Sequence, residues 1–194
     1  MDWQPCEFTA RDGASVRLSL PPGWWALPLI GDDLADQVRR FTDANIPAEA
    51  QPSVRSELSA EWQRLARAAA TAAAVLLAGG AAYDEDADQI VTASLTVVPL
   101  RLYDLAADPD EDGPVGPAEV LRLPAGAAVR GVRLGRSPSP VGDVLQLHVE
   151  YRVADAWMLA FSTPALHHVE QLLPAFDAIA ATLQLPVSDA APFS

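Results

Sequence analysis

The chain has 194 residues, 50% of them hydrophobic, and carries a net charge of -13 from 26 acidic and 13 basic residues. That is enough apolar material for one domain with an ordinary core, without a disulfide or metal staple. Cys6 is the only cysteine, which excludes an intrachain disulfide and a cysteine-rich zinc site. Every basic residue is an arginine, and the acidic excess repels phosphate backbones and anionic lipid, so nucleic acid is not an expected partner.

The opening Met-Asp-Trp-Gln-Pro-Cys-Glu lacks the basic start and apolar run of a secretory signal, and a cytoplasmic location is expected. Residues 6–11 and 14–20 flank Asp12-Gly13, a dipeptide suited to a tight hairpin turn. Val16, Leu18 and Leu20 alternate with Arg17 and Ser19, which gives the second strand one dry face. Pro21-Pro22-Gly23 ends it. Trp24, Trp25, Leu27, Leu29 and Ile30 then read as a block of apolar area at a turn, either a core cluster or a pocket built on tryptophan.

Asp32 or Asp33 caps a first helix reaching about Asn45, with Leu34, Val38 and Phe41 on one stripe, and Pro47 stops it. A second helix starts near Pro52-Ser53 and carries Leu58, Trp62, Leu65 and an alanine run to about Leu77, with Gly79-Gly80 as its stop. Its apolar stretch, residues 66–82, is too weakly hydrophobic to span a bilayer. Residues 80–83 and 90–103 read as a second hairpin around the acidic turn 84–88.

A loop over 104–117, a short helix over 118–123 and a strand over 127–134 follow. Ser137-Pro138-Ser139-Pro140 reads as a turn-rich connector, and residues 144–153 and 157–162 as a third hairpin through Ala154-Asp155. Leu145, Leu147, Val149, Tyr151 and Val153 share one face. A closing helix over 164–183 carries Leu166, Val169, Leu173, Phe176, Ile179 and Leu183 at helical spacing, before a frayed tail over 186–194. The expectation is a single α+β domain over 1–185, an antiparallel sheet with helices packed against it.

The strand leading into Leu20-Pro21-Pro22-Gly23-Trp24, the central antiparallel meander and the terminal Phe176-Asp177-Ala178-Ile179-Ala180-Ala181-Thr182-Leu183 together resemble the PsbP-like superfamily of α/β/α sandwiches. That superfamily includes the DcrB and LpqN families and small chaperones that shield transmembrane segments of type VI secretion effectors. The resemblance covers nearly the whole chain. More locally, Leu123-Pro124-Ala125-Gly126-Ala127-Ala128-Val129-Arg130 and Ala160-Phe161-Ser162-Thr163-Pro164 are similar to segments of actinobacterial proteins of this sort. The resemblance implies a non-enzymatic scaffold that binds proteins or peptides on its sheet or sheet edge, with no shared catalytic set. The lipoprotein signal of LpqN-like members is lacking.

One segment has metal-binding spacing. Asp108, Asp110, Asp112, Gly113 and Glu119 satisfy the acidic, glycine-turned pattern of a calcium loop, with a carbonyl at Pro114 and an apolar residue at Val115. Against it stand the strand rather than helix expected before Asp108, the lack of a second loop and three stiffening prolines; a solvated acidic loop has the same composition. Asp84, Glu85, Asp86 and Asp88 lack the glycine and closing glutamate of such a loop. His167 and His168 are adjacent, so they cannot form the i, i+4 pair of zinc proteases, and they read as surface residues; His148 reads as part of a solvent-facing row with Glu150. No nucleophile elbow, phosphate loop or dinucleotide fingerprint is present. The functional expectation is a cytoplasmic adaptor that binds a protein or peptide, a chaperone or immunity-like partner of a secreted or toxic polypeptide, with acidity suited to a basic partner. The alternatives are a small-molecule or calcium-binding module and a structural subunit of a larger assembly.

Overall fold

The alternation read from Val16, Leu18 and Leu20 makes the strand it predicts, and all three side chains are buried. The computed structural model describes residues 2–9, 13, 15–29, 33–46, 51–84, 89–100, 118–139, 142–154 and 156–185. Strands β1 (Gln4–Thr9) and β2 (Ser15–Leu20) pair antiparallel as expected and form a small sheet of their own. Gly13 of the expected turn takes a φ of 84°, a conformation open to glycine; Asp12 lies outside the described residues.

A seven-stranded antiparallel sheet forms the rest of the framework. Its strands are β3 (Trp24–Pro28), β4 (Leu76–Asp84), β5 (Gln89–Pro99), β6 (Glu119–Leu123), β7 (Gly126–Ser139), β8 (Gly142–Val153) and β9 (Trp157–Thr163). They lie in the order β3-β4-β5-β9-β8-β7-β6. Three helices, α1 (Leu34–Asn45), α2 (Pro52–Thr71) and α3 (Val169–Ala181), pack against it. The protein is thus an α+β fold. Among the described residues no helix is long and apolar enough to cross a membrane.

The two sheet faces are covered differently. On one, Leu76, Leu95, Val97, Val149, Tyr151, Leu159 and Phe161 meet Phe176 and Ile179 from α3, Leu183 just beyond it, and Phe8, Val16 and Leu18 from the β1–β2 hairpin. Phe161 stacks on Phe176 with ring centroids 4.5 Å apart, and Phe8 meets Trp157 edge-on at 6.5 Å. On the other, Leu27, Leu77, Val98 and Met158 meet Val38 of α1 and Trp62, Ala66 and Ala69 of α2. That second core lies over β3, β4 and β5 and reaches β9 only at Met158.

Several elements differ from their sequence reading. The tryptophan block is not a turn: Trp24 and Trp25 begin edge strand β3, paired opposite Gly80 and Gly79. Helix α2 ends at Thr71 rather than near Leu77, and Gly79-Gly80 lies inside β4. The stop is built without glycine. Ala73 takes the left-handed φ of 55°, and the N–H groups of Ala73 and Ala74 close onto the carbonyls of Ala70 and Ala69 at 3.0 and 2.9 Å. Leu76 and Leu77 then serve opposite faces of a strand, a role an apolar run cannot announce when it follows a helical alanine stretch without punctuation.

Pro52 is the first residue of α2, with Gln51 at its cap position and no side-chain cap bond, whereas Asp33 caps α1 by accepting the Asp36 N–H at 3.0 Å. Residues 119–123, expected as a short helix, form β6, because Glu119 to Leu123 pair in register with Arg130 to Gly126. The connector over 137–139 is strand: β7 continues through Ser139 opposite Gly142 of β8. The closing helix begins at Val169, after a 3-10 turn over Leu166–His168. His168 is buried, not surface, with Nδ1 3.2 Å from the Gln171 Oε1. Leu145 stays 44% exposed because β8 outruns its neighbour β9 there.

Candidate functional site

Small residues opposite large ones create a recess in the described surface. On the face covered by α1 and α2, Trp62 lies so close over β4 that a Cβ added to Gly79 would come within 3.1 Å of its ring. On the opposite face Trp24 lies over Gly80, where an added Cβ would reach 2.5 Å from the indole nitrogen. The two adjacent glycines therefore seat one tryptophan on each side of the same strand, a use of strand glycine that the reading of Gly79-Gly80 as a helix stop missed.

Beside Trp62, where α2 stops covering the sheet, a groove of about 230 Å³ opens. One wall is α2, through Leu58, Trp62 and Leu65, and Trp25 of β3 contributes a second indole. The floor is made by Ala81, Thr92, Ser94 and Ser162, with Gln146 and Pro164 at the far end. The floor hydroxyls of Ser94 and Ser162 hydrogen-bond to each other at 2.8 Å across β5 and β9. At the rim the Arg64 Nε donates to the Glu61 Oε2 at 2.8 Å, a hydrogen bond that raises the guanidinium pKa further.

This arrangement offers apolar and aromatic contact with a neutral polar fringe. Its ionisable lining groups are Glu61 and Arg64, paired with each other, and neither histidine nor cysteine is among its described lining residues. Of the two expected tryptophans, Trp25 reaches the groove and Trp24 does not; Trp24 packs edge-on against Phe161 at 6.5 Å. Leu58, Trp62 and Leu65 were legible as an apolar helical stripe, but nothing local marks which part of the stripe the sheet leaves uncovered.

The calcium-loop residues Asp108, Asp110, Asp112 and Pro114 lie outside the described residues. Glu119, their closing partner, sits on β6 with its carboxylate engaged by Arg130. Residues 85–88 of the second acidic cluster and the tail over 186–194 also lie outside the described residues. Among the described residues no group of three or more His, Cys, Asp and Glu is placed to hold a metal ion.

A second polar constellation ties α3 to the sheet. Arg130 Nη1 contacts both Asp177 carboxylate oxygens at 2.8 and 2.7 Å, and the Tyr151 hydroxyl donates to Asp177 Oδ1 at 2.7 Å. Burial works against the Arg130 cation, but Asp177, Glu119 and Tyr151 together hold its pKa above the usual guanidinium range. Burial, reinforced by Asp177, pushes the Tyr151 phenol well above the ordinary tyrosine range.

Fold and groove together define an α+β sheet protein with a lateral apolar recess. No family model, curated protein or solved structure matches the chain.

Proposed function

We propose that the chain is a non-enzymatic adaptor that binds a protein or peptide by taking one large apolar side chain into the groove between α2 and the sheet. The observation that carries this reading is the groove's size and chemistry: about 230 Å³, lined by Trp25, Trp62, Leu58 and Leu65 over a floor of small residues. Sites that enclose a whole small molecule run from about 300 to 1,000 Å³, so this recess suits a single anchoring group of a larger partner. Aromatic walls around one buried anchor are how protein interfaces concentrate their binding energy. A cytoplasmic PsbP-like adaptor serving a secreted or toxic polypeptide fits this chemistry.

The test is selection of a displayed peptide library on the intact chain, read out by Trp25 and Trp62 fluorescence. Enriched peptides are expected to share one large apolar residue. They should lose binding to Ala81→Trp, which fills the groove from an exposed position, and to Leu58→Asp at its 39% exposed wall. Both variants should melt within a few degrees of the parent. Enrichment that survives Ala81→Trp removes the groove from the interaction, and displacement of the fluorescence signal by small organic fragments alone replaces the adaptor with a small-molecule module.

A further inference from the structure

The pairing register lines up the floor of the groove. Gly79 of β4, Ser94 of β5 and Ser162 of β9 stand directly opposite one another, so they form one row across the sheet on the face that carries α2. Adjacent strands lie about 4.8 Å apart, which puts the two serines about 5 and 10 Å along the row from Gly79. The ring of Trp62 occupies the Gly79 position, with its Cη2 3.1 Å from where a Cβ would stand. A side chain stacked on Trp62 and lying along the row therefore has two hydroxyls beneath its far end. His148, opposite Ser162 on the next strand, carries its Nε2 3.0 Å from the place of a Gly135 Cβ, on the β7 side of β8 and away from the groove.

We propose, resting on the groove as the peptide site argued above, that the anchor it takes is tyrosine, with the ring against Trp62 and Trp25 and the phenol on the Ser94 and Ser162 hydroxyls. Those hydroxyls bond to each other at 2.8 Å. Two hydroxyls joined by one bond leave one O–H and several lone pairs outside it, and a phenol, which both donates and accepts, satisfies both kinds of group. An indole N–H only donates. Leucine or phenylalanine would cover the pair without bonding to it, which costs the desolvation of each group left over.

A charged tip has no counterpart in the recess. Glu61 and Arg64, its ionisable lining residues, engage each other at the rim, so neither sign of charge is offered to a ligand. The walls suit the body of the anchor, because two indoles with Leu58 and Leu65 give an aromatic ring both ring and aliphatic contact. A site built to bond a hydroxyl rejects the analogue that lacks it far more strongly than an apolar pocket rejects a change of size. Ser94 and Ser162 are thus specificity-determining residues, and their removal should widen the choice of anchor rather than abolish binding.

The experiment selects four displayed libraries on the intact chain, alike in their random flanks and fixed at the centre as Tyr, Phe, Trp or Leu. Binders lost on Ala81→Trp should come chiefly from the Tyr library, and changing their central Tyr to Phe should weaken them about tenfold. On the Ser94→Ala, Ser162→Ala double variant, checked by its melt, the Tyr and Phe peptides should bind within about twofold of each other. Groove binders in which Phe, Leu or Trp equals or exceeds Tyr on the parent chain overturn the tyrosine assignment and leave the groove as an apolar anchor site. A tenfold preference that persists in the folded double variant overturns the role of the serines. Binders from all four libraries that are indifferent to Ala81→Trp remove the groove itself, and this proposal with it.

Discussion

Tyr151 is fully buried, yet its hydroxyl reaches a carboxylate that also holds Arg130. A hydrogen bond to a charged group contributes about 1.5–3 kcal/mol, so Tyr151→Phe should lower stability near neutral pH by an amount in that range, measured by urea unfolding. The pH dependence follows from the raised phenol. In the unfolded chain tyrosine ionises near its ordinary value of 10.0, while in the fold burial first and Asp177 second keep the proton on. The contribution is therefore complete below about pH 10 and falls as pH rises above it, at up to about 1.4 kcal/mol per pH unit. The stability gap between parent and Tyr151→Phe should narrow between pH 9 and 11; a gap that widens with pH contradicts the assignment. None of this network is legible in the sequence, because Arg130, Tyr151 and Asp177 meet only through the register of β7 on β8 and the docking of α3.

At the scale of elements, the end of α2 is the least expected local structure, since an alanine rather than a glycine supplies the left-handed residue. Left-handed backbone costs a residue with a Cβ about 1–2 kcal/mol, and glycine loses about 0.4–1 kcal/mol through the unfolded chain. Ala73→Gly should therefore raise stability by up to about 1 kcal/mol, whereas glycine at the exposed, mid-helix Ala60 should lower it by about 1 kcal/mol. Thermal melts of the two variants give the comparison. The same site explains where sequence reading fails. Strands with clean alternation, such as Val16-Leu18-Leu20 and Leu147-Val149-Tyr151-Val153, declare themselves because burial on one face fixes their period. The α2–β4 boundary does not, because its alanines suit a helix and its glycines suit a stop until the tryptophans that need them are in place. The groove inherits that blindness: its wall reads only as an apolar helical stripe, and Gly79-Gly80 beside it reads as punctuation.

At the scale of the molecule, the small hairpin and the end of α3 hold each other. Gln184 exchanges backbone hydrogen bonds with Arg17 at 3.0 and 2.8 Å, and the Thr182 hydroxyl bonds both the N–H and the carbonyl of Ser19 at 2.9 and 3.1 Å. Thr182→Val keeps the shape and removes those hydroxyl bonds, leaving the Ser19 N–H without that acceptor, and should lower stability by about 1–3 kcal/mol. Amide exchange should quicken first in β1 and β2; an evenly distributed increase would show that hairpin and sheet open as one unit. The same stitch sets an order of events during synthesis. Ser19 and Thr182 are 163 residues apart, so at about 5–20 residues per second the hairpin waits on the order of ten to thirty seconds for its partner to be made. Until β8 and β9 are made, Phe8, Val16, Leu18 and Leu20 have neither those strands nor α3 to cover them. The hairpin's apolar face is made well before the helix that covers it.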